Sequence, residues 1–304
     1  MLTDLENGLG LEIVRSLQQQ GTAFLDMLAV LLHNLGGDLG YILVLPIVYW
    51  SISRYRGRQL LFVLLIGLVG LLAFKEVIAS PRPFVQHPDQ VTALVEEDGY
   101  GLPSGHVVLS VVIWGYIASL VRRWWAWLLV ALYVLLIAWS RMYAGVHYPQ
   151  DVVGGVIIGA GLLALSLALL KPLARLWASA AWWQKLIAMT TLGVVVALIF
   201  PLDDNGTSTG GLFIGGGIGL VLEERRLRFT AAGSTGERIL RSAIGLIAVG
   251  VIFFGLRFAF ADLTPETLWR VVRYAVTAVA ALFVFPWGAV SAGLMERRET
   301  AISR

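Results

Sequence analysis

The chain has 304 residues, 58% of them hydrophobic and only 14% charged, with a net charge of +3, four histidines and no cysteine. Soluble domains run nearer about 45–50% apolar and about 25% charged, so an ordinary soluble protein is excluded, and the weak net charge gives no basic field for a nucleic-acid partner. Without cysteine there are no disulfides, thiolate nucleophiles or cysteine metal sites, and a zinc site is hard to assemble from four histidines.

Mean hydropathy is +0.77, and the apolar residues fall in repeated runs that approach the roughly 20 residues a bilayer span needs. The period-two alternation of a membrane barrel is absent. The expected class is all-α, a polytopic helical membrane protein. Residues 1–20 carry acids and no charged-then-apolar leader with a small-residue cleavage site, so no cleavable signal peptide is expected. Residues 8–35 place apolar side chains at helical spacing, interrupted by Glu12, Arg15, Gln18 to Gln20 and Asp26. An amphipathic helix in the membrane interface fits that pattern, and a distorted first span is the alternative. Spans are then predicted over 38–53, 58–79, 105–121, 124–141, 150–170, 184–201, 209–222, 240–261 and 268–293. The 209–222 run is short and rich in glycine, which suits close helix packing.

Loop charges give the orientation. Arg54, Arg56, Arg58, Arg122, Arg123, Lys171, Arg175, Arg225, Arg226, Arg228, Arg297 and Arg298 all fall on one face if the spans alternate. That face is expected to be cytoplasmic, with the C-terminus on it; Arg270 and Arg273 are mild exceptions. The loop from Phe84 to Leu102 lies on the other face. It carries Asp89, Glu96, Glu97 and Asp98 and reads as a solvated acidic loop, or as a lid that admits substrate.

Three polar clusters lie at helix ends on that second face. Pro103-Ser104-Gly105-His106 begins a long apolar run. Ser104 stands where a helix N-cap belongs, and the free amides of a first helical turn form an anion site. Gly105 leaves the backbone approachable, and His106 sits in the first turn. A capped helix with an interfacial histidine is the plainer reading. His147-Tyr148-Pro149-Gln150-Asp151 opens the next run, with Pro149 suited to a first helical position. A carboxylate four residues on can hold one imidazole nitrogen and leave the other as a nucleophile, although an acid in a first helical turn is also ordinary. Lys75, Arg82 and Arg141 stand at helix ends, where long cations commonly snorkel. Together they also make the forked and point-charge set that phosphate recognition needs.

In combination, Lys75 seven residues before Arg82-Pro83, then Pro103-Ser104-Gly105-His106, then Ser140-Arg141 with Arg141 six residues before His147, and His147 four before Asp151, resemble the type 2 phosphatidic acid phosphatase superfamily. The resemblance covers roughly residues 20–171. It implies a catalytic phosphatase core at 37–171, preceded by the amphipathic segment 1–36 and followed by a C-terminal transmembrane extension at 172–304 with about four extra helices. It also implies that Lys75, Arg82, Ser104, Gly105 and Arg141 bind phosphate. His147 would attack phosphorus, Asp151 would hold its tautomer, and His106 would protonate the leaving oxygen. No metal or other cofactor is implied. The expected partners are a lipid phosphate substrate and membrane lipids, with the site on the non-cytoplasmic side. A phosphotransferase sharing the phosphohistidine and a lipid or anion transporter are the alternatives. His33 and His87 read as bland, Tyr143 and Tyr148 as interfacial aromatics, and Trp124, Trp125 and Trp127 as an interfacial belt.

Overall fold

A computed structural model describes residues 6–201 and 204–297. Arg298 and the C-terminus, and the first five residues of the expected amphipathic segment, lie outside the described residues. The described chain is helical apart from one short antiparallel pair, β1 (Phe229–Thr230) with β2 (Glu296–Arg297). Six of its helices are long and apolar enough to cross a membrane, and the protein is an integral membrane protein with several spans. It divides into two compact units: Met1–Tyr41 with Ile66–Leu169, and Ile42–Leu65 with Leu170–Arg304.

In the first unit the segment expected as one amphipathic helix is two, α1 (Leu9–Gln19) and α2 (Ala23–Gly36). The chain breaks at Gln20–Gly21, and Thr22 caps α2 by accepting from the Leu25 amide at 3.3 Å. The apolar side of α1 does not face lipid. Leu11 and Val14 pack against Val91 and Tyr148, while Gln18 donates to the carbonyls of Thr92 at 2.6 Å and Tyr143 at 3.2 Å. The acidic loop is thereby tied down by an element that sequence alone places in the membrane interface. Leu32 of α2 joins a core with Val134, Ile137 and Ala138, so α2 is a member of the bundle.

The rest of this unit is the second half of α4 (Arg54–Ile78), the short α5 (Pro83–Gln86), α6 (Gly105–Val121), α7 (Trp124–Tyr143) and the first part of α8 (Pro149–Ser179). On α8, Gly155 and Gly159 sit directly against α6: a Cβ on either would lie 3.2 Å from the Ser104 carbonyl or 3.1 Å from that of Val108. Small residues at that spacing let the backbones close up. The Ser104 amide then donates to the Asp151 carbonyl at 3.0 Å, and two of the polar clusters meet. On α7 the outer leucines 128, 132, 135 and 136 are exposed, as a lipid-facing stripe requires.

The second unit holds the part of α3 (Asp38–Ile47) from Ile42 onward, which runs into a π-helical turn at Val48–Ile52, then the first half of α4. Pro46 lies inside α3 and has no amide to give, so the expected 38–53 span is not a regular helix. The unit continues with α9 (Trp182–Ile199), α10 (Asp204–Arg226), α11 (Thr235–Ala259), α12 (Glu266–Val279), a second π turn at Ala280–Val284, and α13 (Phe285–Ser291). Among the described residues the C-terminal extension has the expected four long helical stretches, three of them long and apolar enough to cross a membrane. The glycine-rich 209–222 run is longer than predicted, because α10 continues to Arg226. Gly211 and Gly215 face the Val271 and Ala275 carbonyls so closely that any Cβ would clash, so the backbone of α10 presses against α12.

Candidate active site

All three clusters converge in the first unit, each brought in by a helix end. Lys75 is in the last turn of α4 and Arg141 in the last turn of α7. Arg82 stands at the N-cap of α5 with Pro83 at its first position. Ser104 stands at the N-cap of α6 and Asp151 in the first turn of α8. Lys75, Arg82, Ser104, Arg141, His147 and Asp151 are all buried, Arg141 completely. Charges so enclosed persist only with partners.

Arg82 supplies many of those partners. Its guanidinium donates to the carbonyls of Gly99 at 3.0 Å, Asp98 at 2.8 Å and Val146 at 3.2 Å, and to His147 Nε2 at 3.1 Å. A guanidinium can only donate, so His147 Nε2 is the acceptor and its lone pair points at Arg82. In the neutral ring the proton is then on Nδ1, which faces Asp151 Oδ2 at a long 3.4 Å. The same carboxylate oxygen accepts from the Tyr148 amide at 2.8 Å. Burial, followed by the charges of Arg82, Arg141, Lys75 and His106, pushes the His147 pKa well below its usual 6.5. The imidazole is neutral near pH 7, with Nε2 as its basic nitrogen.

Two residues that sequence reading assigned to bland roles complete the site. Glu97, from the acidic loop, is not solvated. Its Oε1 accepts from Arg141 at 2.5 Å and its Oε2 from Arg82 at 3.2 Å. His106 Nδ1 lies 3.7 Å and His33 Nδ1 3.6 Å from Oε1. Burial would raise the Glu97 pKa, but His106, Arg141, Arg82 and Lys75 overcome it and hold the carboxyl at about 2. His33, on α2, accepts from Arg141 at 2.7 Å and stacks on His106 with centroids 5.0 Å apart. The only local sign of Glu97 was its place in Glu96-Glu97-Asp98, shortly before Pro103-Ser104-Gly105-His106; His33 had none.

Several buried polar atoms here have no hydrogen-bond partner among the described residues: Ser104 Oγ, His106 Nε2, Arg141 Nε and Asp151 Oδ1. Ser104 holds the N-cap position without capping through its side chain. Gly105 opens α6 with its Cα hydrogen toward Leu71. His33, Glu97 and His106 also bring potential metal-ligating atoms within 4.8 Å of one another. Arg141 already donates to both His33 Nδ1 and Glu97 Oε1, and its charge opposes a cation there. The residues fit an oxyanion better than a metal. Tyr143 and Tyr148 hydroxyls bond Asp26 at 2.6 Å and Gln86 at 3.1 Å, and Ser140 Oγ bonds the Ile137 carbonyl at 2.8 Å, so these three brace the walls.

Comparison with known proteins points the same way. Residues 56–175 match the PAP2 superfamily model, and residues 207–297 match the model described as PAP2 superfamily phosphatase, transmembrane extension. The chain is 33% identical over 141 residues to lipid phosphate phosphatase delta of Arabidopsis thaliana, covering 41% of this chain and 33% of that protein. It is 32% identical over 142 residues to human sphingosine-1-phosphate phosphatase 2, covering 43% and 34%. It thus spans about a third of the length of these two relatives. With the undecaprenyl-diphosphatase of Sulfolobus acidocaldarius it shares 30% identity over 162 residues, 52% of this chain and 77% of that protein. The chain belongs to the PAP2 superfamily, the type 2 phosphatidic acid phosphatases, and carries that superfamily's phosphatase transmembrane extension.

Proposed function

We propose that this protein is an integral membrane lipid phosphatase that hydrolyses a lipid phosphomonoester or pyrophosphate through a phosphohistidine at His147. The observation that carries the reading is Glu97: a carboxylate clasped by Arg82 and Arg141 beside two imidazoles marks where this site holds an oxyanion. A phosphate dianion has more charge and more acceptor oxygens than a carboxylate, and so can replace it. Lys75, Arg82, Ser104, Gly105 and Arg141 then bind the phosphoryl group, with Ser104 Oγ and Arg141 Nε as donors that no group among the described residues uses.

In the first half-reaction the His147 Nε2 lone pair attacks phosphorus and the bond to the leaving oxygen breaks. His106 gives that oxygen its proton, and Asp151 stabilises the charge on the His147 ring through Nδ1–H. In the second half, water attacks the phosphohistidine and loses a proton to His106. The N–P bond breaks, and inorganic phosphate leaves. Fixed cations offset the charge that develops on phosphorus, so the chemistry needs no metal. The catalytic core is 37–171, supplemented by His33 from the 1–36 segment, with 172–304 as an extension. The basic loops support a site on the non-cytoplasmic side. The relatives' names support undecaprenyl pyrophosphate and sphingoid-base phosphates as candidate substrates, and the interfacial helix ends suit phosphatidic acid and phosphatidylglycerol phosphate equally.

The test is phosphate release from that panel in detergent with EDTA present, with His147→Ala as control. Release that persists in EDTA and disappears in the variant is expected. A strict metal requirement, or full release by His147→Ala, would refute the mechanism. Transfer of the phosphoryl group to an added lipid acceptor, with no free phosphate released in its absence, would make the protein a phosphotransferase.

A further inference from the structure

A second charged cavity lies entirely within the second unit, around the N-terminal end of α4, the opposite end of that helix from Lys75. Its volume is about 510 Å³, and Tyr49, Arg54, Arg58, Glu223, Glu224 and Arg238 line it, along with the chain from Phe229 to Ala232. Small-molecule sites commonly measure about 300–1,000 Å³.

The walls are built rather than incidental. Arg241 is almost wholly buried, and its guanidinium donates to the carbonyls of Ala231 at 2.6 Å and Ala232 at 2.8 Å and to Ser51 Oγ at 3.3 Å. That clamp fixes the loop on one side, and β1 pairing with β2 holds its other end. Arg54 donates to Glu223 at 2.7 Å, and the Phe229 amide to the same oxygen at 3.2 Å. Glu224 accepts from Arg58 at 2.6 Å, Trp177 at 2.6 Å and Lys185 at 2.7 Å.

What these contacts leave over defines a ligand. The Tyr49 hydroxyl is fully buried and has no hydrogen-bond partner among the described residues. A buried hydroxyl left unsatisfied is costly. Arg238 makes no ion pair among the described residues. The 25-residue α4 starts at Arg54 in the same lining; Ser53 Oγ takes its Arg56 amide at 3.3 Å, and an anion is favoured at the other amides of that first turn. Three arginines against two glutamates leave the lining positive, yet a bare phosphate would have to sit near Glu223 and Glu224. A phosphate ester whose alcohol carries hydroxyls meets both demands, with its phosphate toward Arg238, Tyr49 and the helix start and its hydroxyls on the carboxylates. We infer that this cavity is a second binding site, for a hydroxyl-bearing phosphodiester of the glycerophosphate class. A phospholipid headgroup and its free soluble counterpart share that chemistry.

The test uses the full chain and two probes that a phosphomonoesterase does not consume: glycerophosphoglycerol in detergent, and nanodiscs of phosphatidylglycerol against phosphatidylcholine. Binding is followed by calorimetry and thermal unfolding, on the native chain and on Tyr49→Phe and Arg238→Gln. Each substitution should weaken binding about tenfold, the loss of one charge-assisted contact, and leave turnover of lipid phosphate unchanged. Stabilisation by both probes assigns the site to the headgroup itself; stabilisation by phosphatidylglycerol discs alone assigns it to membrane lipid. The inference is overturned if neither probe stabilises the native chain, or if both variants bind as tightly as it does.

Discussion

Replacing Glu97 with glutamine tests the idea that a carboxylate keeps the substrate's place. A carboxyl held at about 2 rather than 4.5 favours its ionised form by about 3 kcal/mol over the same group in water. Glutamine keeps the shape and one acceptor but loses the charge that Arg82 and Arg141 hold. Two opposite effects follow. Without ligand, the variant loses up to about 3 kcal/mol of stability near pH 7, because two buried guanidiniums lose their counter-charge. With orthophosphate the order reverses: the anion no longer competes with an internal carboxylate, and its affinity rises by up to about a hundredfold, at 1.4 kcal/mol per factor of ten.

Calorimetric titration of orthophosphate into both proteins at pH 7 reads the second effect, and thermal unfolding with and without phosphate reads the first. The pH dependence has a definite sign. Because the folded-state pKa is depressed, the Glu97 contribution is complete above about 4.5 and fades as pH falls toward about 2. The stability gap between native and variant chains should therefore narrow across that window. Phosphate binding that is equal or weaker in Glu97→Gln would show that the carboxylate and the phosphate do not share a seat.

The other predictions concern the remaining parts of the site. Asp151→Asn should lower kcat by about a hundredfold or more with little change in phosphate affinity, since it disturbs the Nδ1 side of His147 and not the cations; equal losses in kcat and affinity would place Asp151 in binding instead. The depressed His147 pKa means the nucleophile is still neutral below pH 6.5, so the acid limb of kcat/KM should not appear at the ordinary histidine value, and a limb centred there would contradict the burial argument. His33→Ala removes the acceptor that Arg141 holds at 2.7 Å and should raise KM more than it lowers kcat; a pure kcat loss would make His33 a catalytic residue. Gly145 has φ +75°, and a Cβ there would meet the Thr92 carbonyl at 2.5 Å. Gly145→Ala should thus cost at least about 1–2 kcal/mol in thermal unfolding, with turnover falling as the loop shifts, and an unchanged melting curve would show that the loop is not held there.

The residues proposed to bind phosphate were legible because each sits at a fixed spacing from a helix end. Proline, serine and the apolar runs locate those ends, and hydropathy locates the runs. Glu97 and His33 carry no such signal. Their roles depend on where the Phe84–Leu102 loop crosses the helix ends, and that path is set by α1 through Gln18, Val14 and Leu11. Hydrophobic periodicity on α1 cannot reveal whether its apolar side meets lipid or a protein loop, because both are apolar. The same limit hid the true length of α10. Its glycines and hydroxyl residues lower the local hydropathy, yet the glycines are what let its backbone press against α12.

Charge balance explains why such a loop should exist at all. Lys75, Arg82 and Arg141 are buried together, and three enclosed cations without an anion would oppose folding. Asp151 faces His147 and the Tyr148 amide. Glu97 bridges the guanidiniums of Arg82 and Arg141. The cationic cage is therefore assembled around a carboxylate from its own chain, and binding becomes an exchange of one anion for another in place of the filling of an exposed positive pit. Arg82 makes that exchange felt at the nucleophile, because the guanidinium that holds Glu97 also donates to His147 Nε2. Moving it onto a phosphoryl oxygen would release the Nε2 lone pair at the moment phosphorus arrives. The consequence is specific: Arg82→Lys, which keeps the charge but cannot contact His147 and the phosphate at once, should reduce kcat by more than tenfold while orthophosphate affinity falls only a few-fold. A matching loss in both would mean that Arg82 binds the anion without gating the nucleophile.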